Sequence, residues 1–123
     1  KPQQVLEPAY DDALHLTAAF ILNLLRHVNS VLDADFDVDD WRHVALFNSA
    51  DSRIEMHLEA LRAVRVAWPG GARAFSAGER IHTENSYKFT PQAFADLLQS
   101  AGYRDVAHWS DSRGWFSIFS ARA

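Results

Sequence analysis

The sequence predicts an α+β protein in which a long N-terminal helix packs on a small antiparallel sheet and is followed by a second helix and an antiparallel hairpin. In the first part of the chain, apolar residues recur every three or four positions, which is typical of an amphipathic helix. In the middle of the chain, apolar and polar residues alternate, as they do in strands that bury one face. Clusters of Asn, Asp, Gly and Pro separate the alternating segments and predict turns between them.

The first helix is expected to run from about Leu6 to Leu32. Pro8 lies either in its first turn or at a break from a short preceding helix. The buried stripe of this helix is expected to consist of Leu14, Ala18, Ile21, Leu22, Leu25, Val28 and Leu32. An acidic loop follows, in which Asp37 is expected to cap a single helical turn that extends through Trp41.

The middle of the chain is expected to form the antiparallel sheet. Its alternating segments are His43–Phe47, Arg53–Glu59, Arg62–Trp68 and Glu79–Phe89. In the second of these segments, Ile54, Met56 and Leu58 share one face and charged residues occupy the other. We expect the apolar face of the sheet to pack on the long helix.

The C-terminal part of the chain predicts a helix and two strands. Thr90 is expected to cap the helix, with Pro91 in its first turn and Gly102 at its end. The buried stripe of this helix is expected to consist of Phe94, Leu97, Leu98 and Ala101. Tyr103–Trp109 and Trp115–Ser120 are then predicted to be strands joined by a polar turn.

Composition excludes several classes of function. The chain of 123 residues has a net charge of −4 and therefore lacks the excess of positive charge that binding to nucleic acid requires, so nucleic acid is not an expected partner. The apolar stretches are too short and interrupted to span a bilayer, so no membrane partner is expected either. The absence of cysteine excludes disulfides and thiol nucleophiles and fits a cytoplasmic protein.

Two acidic patterns resemble metal sites, but we expect no metal. Asp33, Asp35 and Asp37 alternate, yet the sixth and twelfth positions of an EF-hand loop, which need glycine and glutamate, are both valine here. Glu55, His57 and Glu59 also alternate and could hold a divalent ion with His57 as the nitrogen ligand. A polar, solvent-facing side of a half-buried sheet accounts for that row more simply.

The motifs that carry catalysis or bind phosphate are missing from the sequence. Neither G-x-S-x-G, G-x-G-x-x-G nor a Walker loop occurs. We therefore assign no catalytic residue in this chain, and we expect no cofactor-binding residue of the glycine-rich type.

One polar segment, Ile81–Phe89, is a candidate ligand site. If it is a regular strand, Glu84 and Ser86 share one face with His82 beside them, and the opposite face carries Thr83, Asn85 and Tyr87. A carboxylate and a hydroxyl two residues apart can hold both nitrogens of a flat heterocycle. A polar strand end with no ligand fits the same pattern equally well.

Five segments, in their order and spacing, resemble the family of L-histidine Nα-methyltransferases that begin ergothioneine biosynthesis. They are Ala9–Asp12, Thr17–Asn23, Arg53–Leu58, Thr83–Phe89, and an ending made of Ala101–Tyr103, Trp109–Asp111 and Phe116–Ser117. The resemblance covers nearly the whole chain, which corresponds to about the last third of such an enzyme. The chain departs from the family at His15-Leu16, where glycine usually precedes a valine-threonine pair, and at Ile21, where asparagine is usual.

The resemblance implies roles for five residues. Glu84 and Ser86 match the pair that holds the substrate imidazole, and Tyr10 matches a tyrosine that hydrogen-bonds the amino-acid end of the substrate. Thr17 and Met56 match positions that line the pocket. The implied reaction is transfer of methyl groups from S-adenosylmethionine to the α-amine of a free amino acid, expected to be histidine, without a metal. In the family, three transfers give the trimethylated product.

The resemblance also implies an architecture. Residues 1–9 would follow the fifth core strand, residues 10–89 would form the substrate-binding insertion, and residues 90–123 would complete a class I, Rossmann-like methyltransferase sheet. S-adenosylmethionine would be bound mainly by an N-terminal portion that the chain, which begins with Lys1-Pro2, lacks. The chain alone is expected to be inactive and to associate with itself or with that portion. The alternative is a free-standing, non-catalytic module that binds a small ligand or a partner.

Overall fold

The computed structural model describes residues 3–11, 14 and 16–123, which divide into two compact units. The first unit extends through Tyr87, and the second comprises residues Lys88–Ala123. The expectations made for Lys1, Pro2, Asp12 and His15 lie outside the described residues. Within the described part of the chain, none of the helices combines the length and apolar character that crossing a bilayer requires.

The N-terminal region is not one helix. A short helix α1, Gln3–Leu6, runs into a 3-10 turn at Glu7–Ala9, and the long helix α2 spans Leu16–Leu32. The expected continuous helix from Leu6 is therefore wrong, and the alternative, in which Pro8 marks a break after a short preceding helix, is confirmed. Proline lacks the backbone N–H that a continuing α-helix needs, and Pro8 lies at the start of the 3-10 turn, where no such donor is required.

Helix α2 buries the centre of its apolar stripe and exposes both ends. Ile21 and Leu25 are buried one turn apart, whereas Leu14 is 79% exposed and Leu32 is 54% exposed. The expected stripe is wrong at these two ends, because Leu14 precedes the helix and Leu32 is its last residue. Ile21, one of the departures from the family pattern, belongs to the hydrophobic core.

Three strands form an antiparallel sheet in the order β1-β2-β5: β1 is Trp41–Asn48, β2 is Arg53–Ala60 and β5 is Arg80–Tyr87. Strand β2 is central, and its apolar face supplies the most deeply buried side chains of the described residues, namely Ile54, Met56 and Leu58. This confirms the expected face of β2.

The cap before β1 is also as expected, since the Asp37 side chain accepts a hydrogen bond from the backbone N–H of Asp39 at 3.0 Å.

A second hairpin joins β3, Val64–Trp68, to β4, Gly71–Phe75. Strand β4 is absent from the sequence prediction because small and charged residues fill it, and only Phe75 is buried. The Phe75 ring packs edge-on against Trp41 with 5.0 Å between centroids, which fixes the hairpin to the core.

The second unit has the predicted helix and hairpin. Helix α3 spans Pro91–Ser100, and strands β6, Arg104–Ser110, and β7, Ser117–Arg122, pair antiparallel. The Thr90 hydroxyl caps α3 by accepting from the backbone N–H of Ala93 at 3.1 Å. The expected stripe of α3 is only partly covered within this unit, because Phe94 and Leu98 are half-buried while Leu97 and Ala101 are exposed. The α+β class is confirmed, with every strand pairing among the described residues antiparallel.

Candidate functional site

A β-bulge divides strand β5 into two parts that face opposite ways. Met56 pairs with Glu84, but the next residue, His57, pairs with His82, so Thr83 is an extra residue on β5. The Thr83 hydroxyl donates to the Met56 carbonyl oxygen at 2.8 Å and holds the bulge in place. Because the bulge interrupts the alternation of side chains, the sequence expectation that His82 lies beside Glu84 is wrong.

The two faces of β5 carry different groups. Glu84 and Ser86 pair with Met56 and Ile54, and paired residues in antiparallel strands point to the same side, which here is the core side. On the opposite side, Nε2 of His82 lies 2.8 Å from Oδ1 of Asn85. The bulge therefore removes the imidazole from the face on which the carboxylate and the hydroxyl lie.

The Tyr10 side chain meets Ser86 across the fold. Its phenol oxygen lies 2.8 Å from the Ser86 hydroxyl oxygen, although the two residues are 76 positions apart. The backbone carbonyl of Tyr10 accepts a hydrogen bond from Nε2 of His43 on β1 at 2.8 Å. Both ends of Tyr10 are thus fixed to the sheet, and its ring packs against the core.

Glu84 lines an apolar cleft beside helix α2. The cleft has a volume of about 270 Å³ and is lined by Phe20, Ile21, Asn23, Leu24, His27, Thr83 and Glu84. Among the residues that the structure describes, none forms a hydrogen bond or an ion pair with the Glu84 carboxylate. Glu84 is exposed, so its carboxylate is accessible and can accept an N–H group from a small, flat ligand that enters the cleft.

The remaining two predicted site residues, Met56 and Thr17, differ in exposure. Met56 is 2% exposed and belongs to the core, where it is the strand partner of Glu84. Thr17 is half-buried in the first turn of α2. It is not among the described residues that line the Glu84 cleft, which begins one turn further along the helix.

The outer face of the sheet carries a second polar cluster that the sequence predicted only in part. The side chains of Glu55 and His57 are each 12% exposed, so the expectation that this row faces solvent is wrong. Glu59 is engaged elsewhere, in ion pairs with Arg42 and Arg80. Instead of Glu59, His82 lies beside Glu55 and His57. The sequence could not indicate this position of His82, because the bulge determines it.

Hydrogen bonds and burial set the charge states of this cluster. The side-chain amide of Asn48 and the guanidinium of Arg53 donate to Oε1 of Glu55 at 2.9 and 2.8 Å and lower the pKa of Glu55 to about 2. Burial lowers the pKa of His57, and the nearby Glu55 carboxylate opposes that shift only in part. Glu55 is therefore ionised near neutral pH, and burial favours the neutral form of His57.

Comparison with known proteins points to one family. A family model described as histidine-specific methyltransferase, SAM-dependent, matches residues 1–123. The histidine N-alpha-methyltransferases of Mycolicibacterium smegmatis and Mycobacterium tuberculosis are 47% and 46% identical over 112 residues, which is 89% of this chain and 35% of each relative. Ergothioneine biosynthesis protein 1 of Schizosaccharomyces pombe is 23% identical over 94% of the chain and 15% of that protein. The chain thus spans about a third of the length of these two relatives.

Proposed function

Because the chain belongs to the family of histidine-specific, S-adenosylmethionine-dependent methyltransferases, we propose that it is the substrate-binding and C-terminal portion of an enzyme that methylates the α-amine of histidine. The observation that carries this proposal is the convergence of Tyr10, Glu84 and Ser86 on one side of the sheet. By the resemblance to the family, these three positions correspond to residues that hold the amino acid. We infer that the product is the trimethylated amino acid that feeds ergothioneine biosynthesis.

Glu84 and Ser86 are proposed to hold the imidazole ring. Same-face residues on a strand lie about 6.6 Å apart, which leaves room for a flat ring between two hydrogen-bonding groups. The carboxylate accepts an N–H of the ring, and the hydroxyl bonds the other ring nitrogen as donor or acceptor. A hydrogen bond to a charged group contributes about 1.5–3 kcal/mol, enough to favour histidine over an apolar amino acid.

Tyr10 is proposed to bind the amino-acid end of the substrate. Its hydrogen bond with Ser86 places the phenol beside the proposed ring site, and the bond from His43 to its carbonyl fixes the backbone there. Thr17 and Met56 are proposed to line the pocket. With the ring and the amino-acid end both held, the α-amine has one defined position, and orientation of this kind accounts for much of the rate in group transfer.

The methyl donor is proposed to bind outside the residues described here. S-adenosylmethionine supplies the methyl group in this family, and nucleotide-like cofactors are usually held at a glycine-rich turn after a parallel strand. The sequence has no such turn, and the described strands pair only antiparallel. We therefore assign no residue of this chain to the cofactor.

The division of the chain supports a proposed architecture. The first compact unit ends at Tyr87, close to the proposed end of a substrate-binding insertion at residue 89. Residues 90–123, with α3 and the β6–β7 hairpin, are proposed to complete a Rossmann-like sheet. Residues 1–9 would connect to the fifth strand of that sheet. On this proposal the chain alone is inactive and pairs with the rest of the core.

A methyl-transfer assay of the complete gene product with a panel of free amino acids tests the proposal. We expect histidine to be methylated in preference to phenylalanine or leucine, and Glu84→Ala to abolish that preference. Methylation with no preference for histidine would contradict the assigned pocket. Histidine binding without any methyl transfer would contradict the proposed enzymatic activity and support a non-catalytic binding module.

A further inference from the structure

On the face of the sheet opposite Glu84, we propose a binding site for a zinc-type divalent metal ion, formed by Glu55, His57 and His82. One ligand atom from each of these residues lies within 4.8 Å of the other two. Ligand atoms of a tetrahedral zinc ion at bond lengths of about 2.1 Å are about 3.4 Å apart. The three side chains therefore need only small rotations to bind one ion.

The sheet itself holds the three residues together. Glu55 and His57 are same-face neighbours on β2, and His82 is the strand partner of His57 on β5. The two imidazole rings stack with centroids 4.5 Å apart and planes 27° apart. The bulge at Thr83 produces this pairing, because a regular β5 would place His82 on the core side with Glu84.

The donor set suits zinc. Two imidazole nitrogens and one carboxylate oxygen are common zinc ligands, and a water molecule completes a tetrahedron in sites of this kind. Glu55 is already oriented, because Asn48 and Arg53 bind its Oε1 while its Oε2 lies 3.2 Å from Nε2 of His57. Hydrogen-bonding partners that orient a metal-binding side chain in this way raise its affinity for the metal.

Some interactions of these residues compete with binding of the metal ion. Coordination through Nε2 replaces the contact between His57 and Glu55 and the hydrogen bond between His82 and Asn85. The Arg53 guanidinium adds a positive charge beside Glu55, although it also pairs with Asp51 at 3.1 Å. We therefore expect moderate affinity and a site that exchanges its metal.

The site goes beyond the proposed methyl transfer and shares no ligand with it, although Met56 lies between Glu55 and His57 on β2 and faces the other side of the sheet. A bound ion would tie β2 to β5 immediately beside the bulge. Since that bulge directly precedes Glu84 on β5, the ion would stabilise the backbone that carries the proposed substrate ligand.

Calorimetric titration of the full chain with zinc in chelator-free buffer tests the site. We expect one ion per chain, and we expect His82→Gln to weaken binding at least tenfold, because even loss of a group that supports a ligand costs about 10–100-fold. His82 is exposed, so this variant should keep its fold, which circular dichroism checks. His108→Gln, at an exposed histidine of the second unit, is the matched control and should bind as the parent does.

A spectroscopic measurement separates the site from weak surface binding. Cobalt bound in place of zinc should give the intense visible absorption of a tetrahedral site in the parent protein and lose it in His82→Gln. The proposal is overturned if the parent binds no zinc, or if the His82 and His108 variants bind it equally well.

Discussion

The phenol oxygen of Tyr10 lies 2.8 Å from the hydroxyl oxygen of Ser86, so the segment before α2 is bound directly to the last strand of the main sheet. The family resemblance implies that these two residues contact opposite ends of the substrate. It is also a partly buried hydrogen bond, and its removal should therefore have a measurable effect on stability as well as on binding.

Tyr10→Phe should lower the free energy of unfolding by about 0.5–1.5 kcal/mol, the usual contribution of one hydrogen bond. Urea unfolding followed by circular dichroism measures this change. Tyr103→Phe removes the hydroxyl group from an exposed tyrosine of the second unit and serves as control. A loss in the Tyr10 variant no larger than in the Tyr103 variant would show that the contact with Ser86 does not stabilise the fold.

Glu84→Gln should weaken histidine binding by the complete enzyme without weakening the binding of S-adenosylmethionine. The amide keeps the shape of the side chain but removes the charge, so the loss should be about tenfold to a hundredfold. Calorimetric titration with each ligand separates the two affinities. Asp39→Asn, at an exposed acid before β1, should leave both affinities unchanged. Equal losses for the two ligands would rule out Glu84 as the imidazole ligand.

Glu55 should make the fold sensitive to acid. Hydrogen bonds from Asn48 and Arg53 lower its pKa in the folded protein to about 2, below the ordinary value of 4.5. The folded state therefore binds fewer protons than the unfolded state in this interval, and the stabilisation that is complete above pH 4.5 is lost as the pH falls towards 2. Urea midpoints measured between pH 7 and pH 2.5 with a chelator present should show a decline over this range.

The variant Glu55→Gln isolates that contribution. It should be less stable than the parent at pH 7 and should lose less stability on acidification, because its side chain does not titrate. Asp39→Asn again provides the control, and its acid profile should follow that of the parent. Parallel acid profiles for the Glu55 variant and the parent would refute this assignment.

The elements that the sequence predicted correctly have a strong local signal. Thr90 and Pro91 form a helix start on their own, and the alternation of Ile54, Met56 and Leu58 marks a strand whatever its neighbours are. The short 3-10 turn after Asp37 likewise depends on a single capping side chain.

The features that the sequence did not predict depend on pairing between distant segments. Strand β4 lacks an apolar pattern and forms because β3 provides its partner. The bulge at Thr83 is a property of the register between β2 and β5, so no spacing rule within β5 could place His82 on the outer face. The candidate site was predictable as a set of residue types, whereas the separation of its two faces was not.

The exposed apolar side of helix α2 should cause the isolated chain to associate. Leu16, Phe20 and Leu24 follow one another at intervals of four residues and form one stripe, and Phe20 at its centre is 71% exposed. An apolar stripe of this kind is typical of a surface that another segment or chain covers. Sedimentation velocity of the isolated chain should therefore show association that increases with concentration.

Phe20→Lys should shift that equilibrium towards monomer, because it places a charge in the middle of the stripe. Ser30→Lys adds the same charge at an exposed position of α2 without removing apolar surface, so its association should match the parent. The two variants differ only in whether the stripe is interrupted, which makes the comparison independent of net charge. A parent chain that stays monomeric at all concentrations would mean that the stripe is tolerated in water, and the first unit would then be self-sufficient rather than part of a larger core.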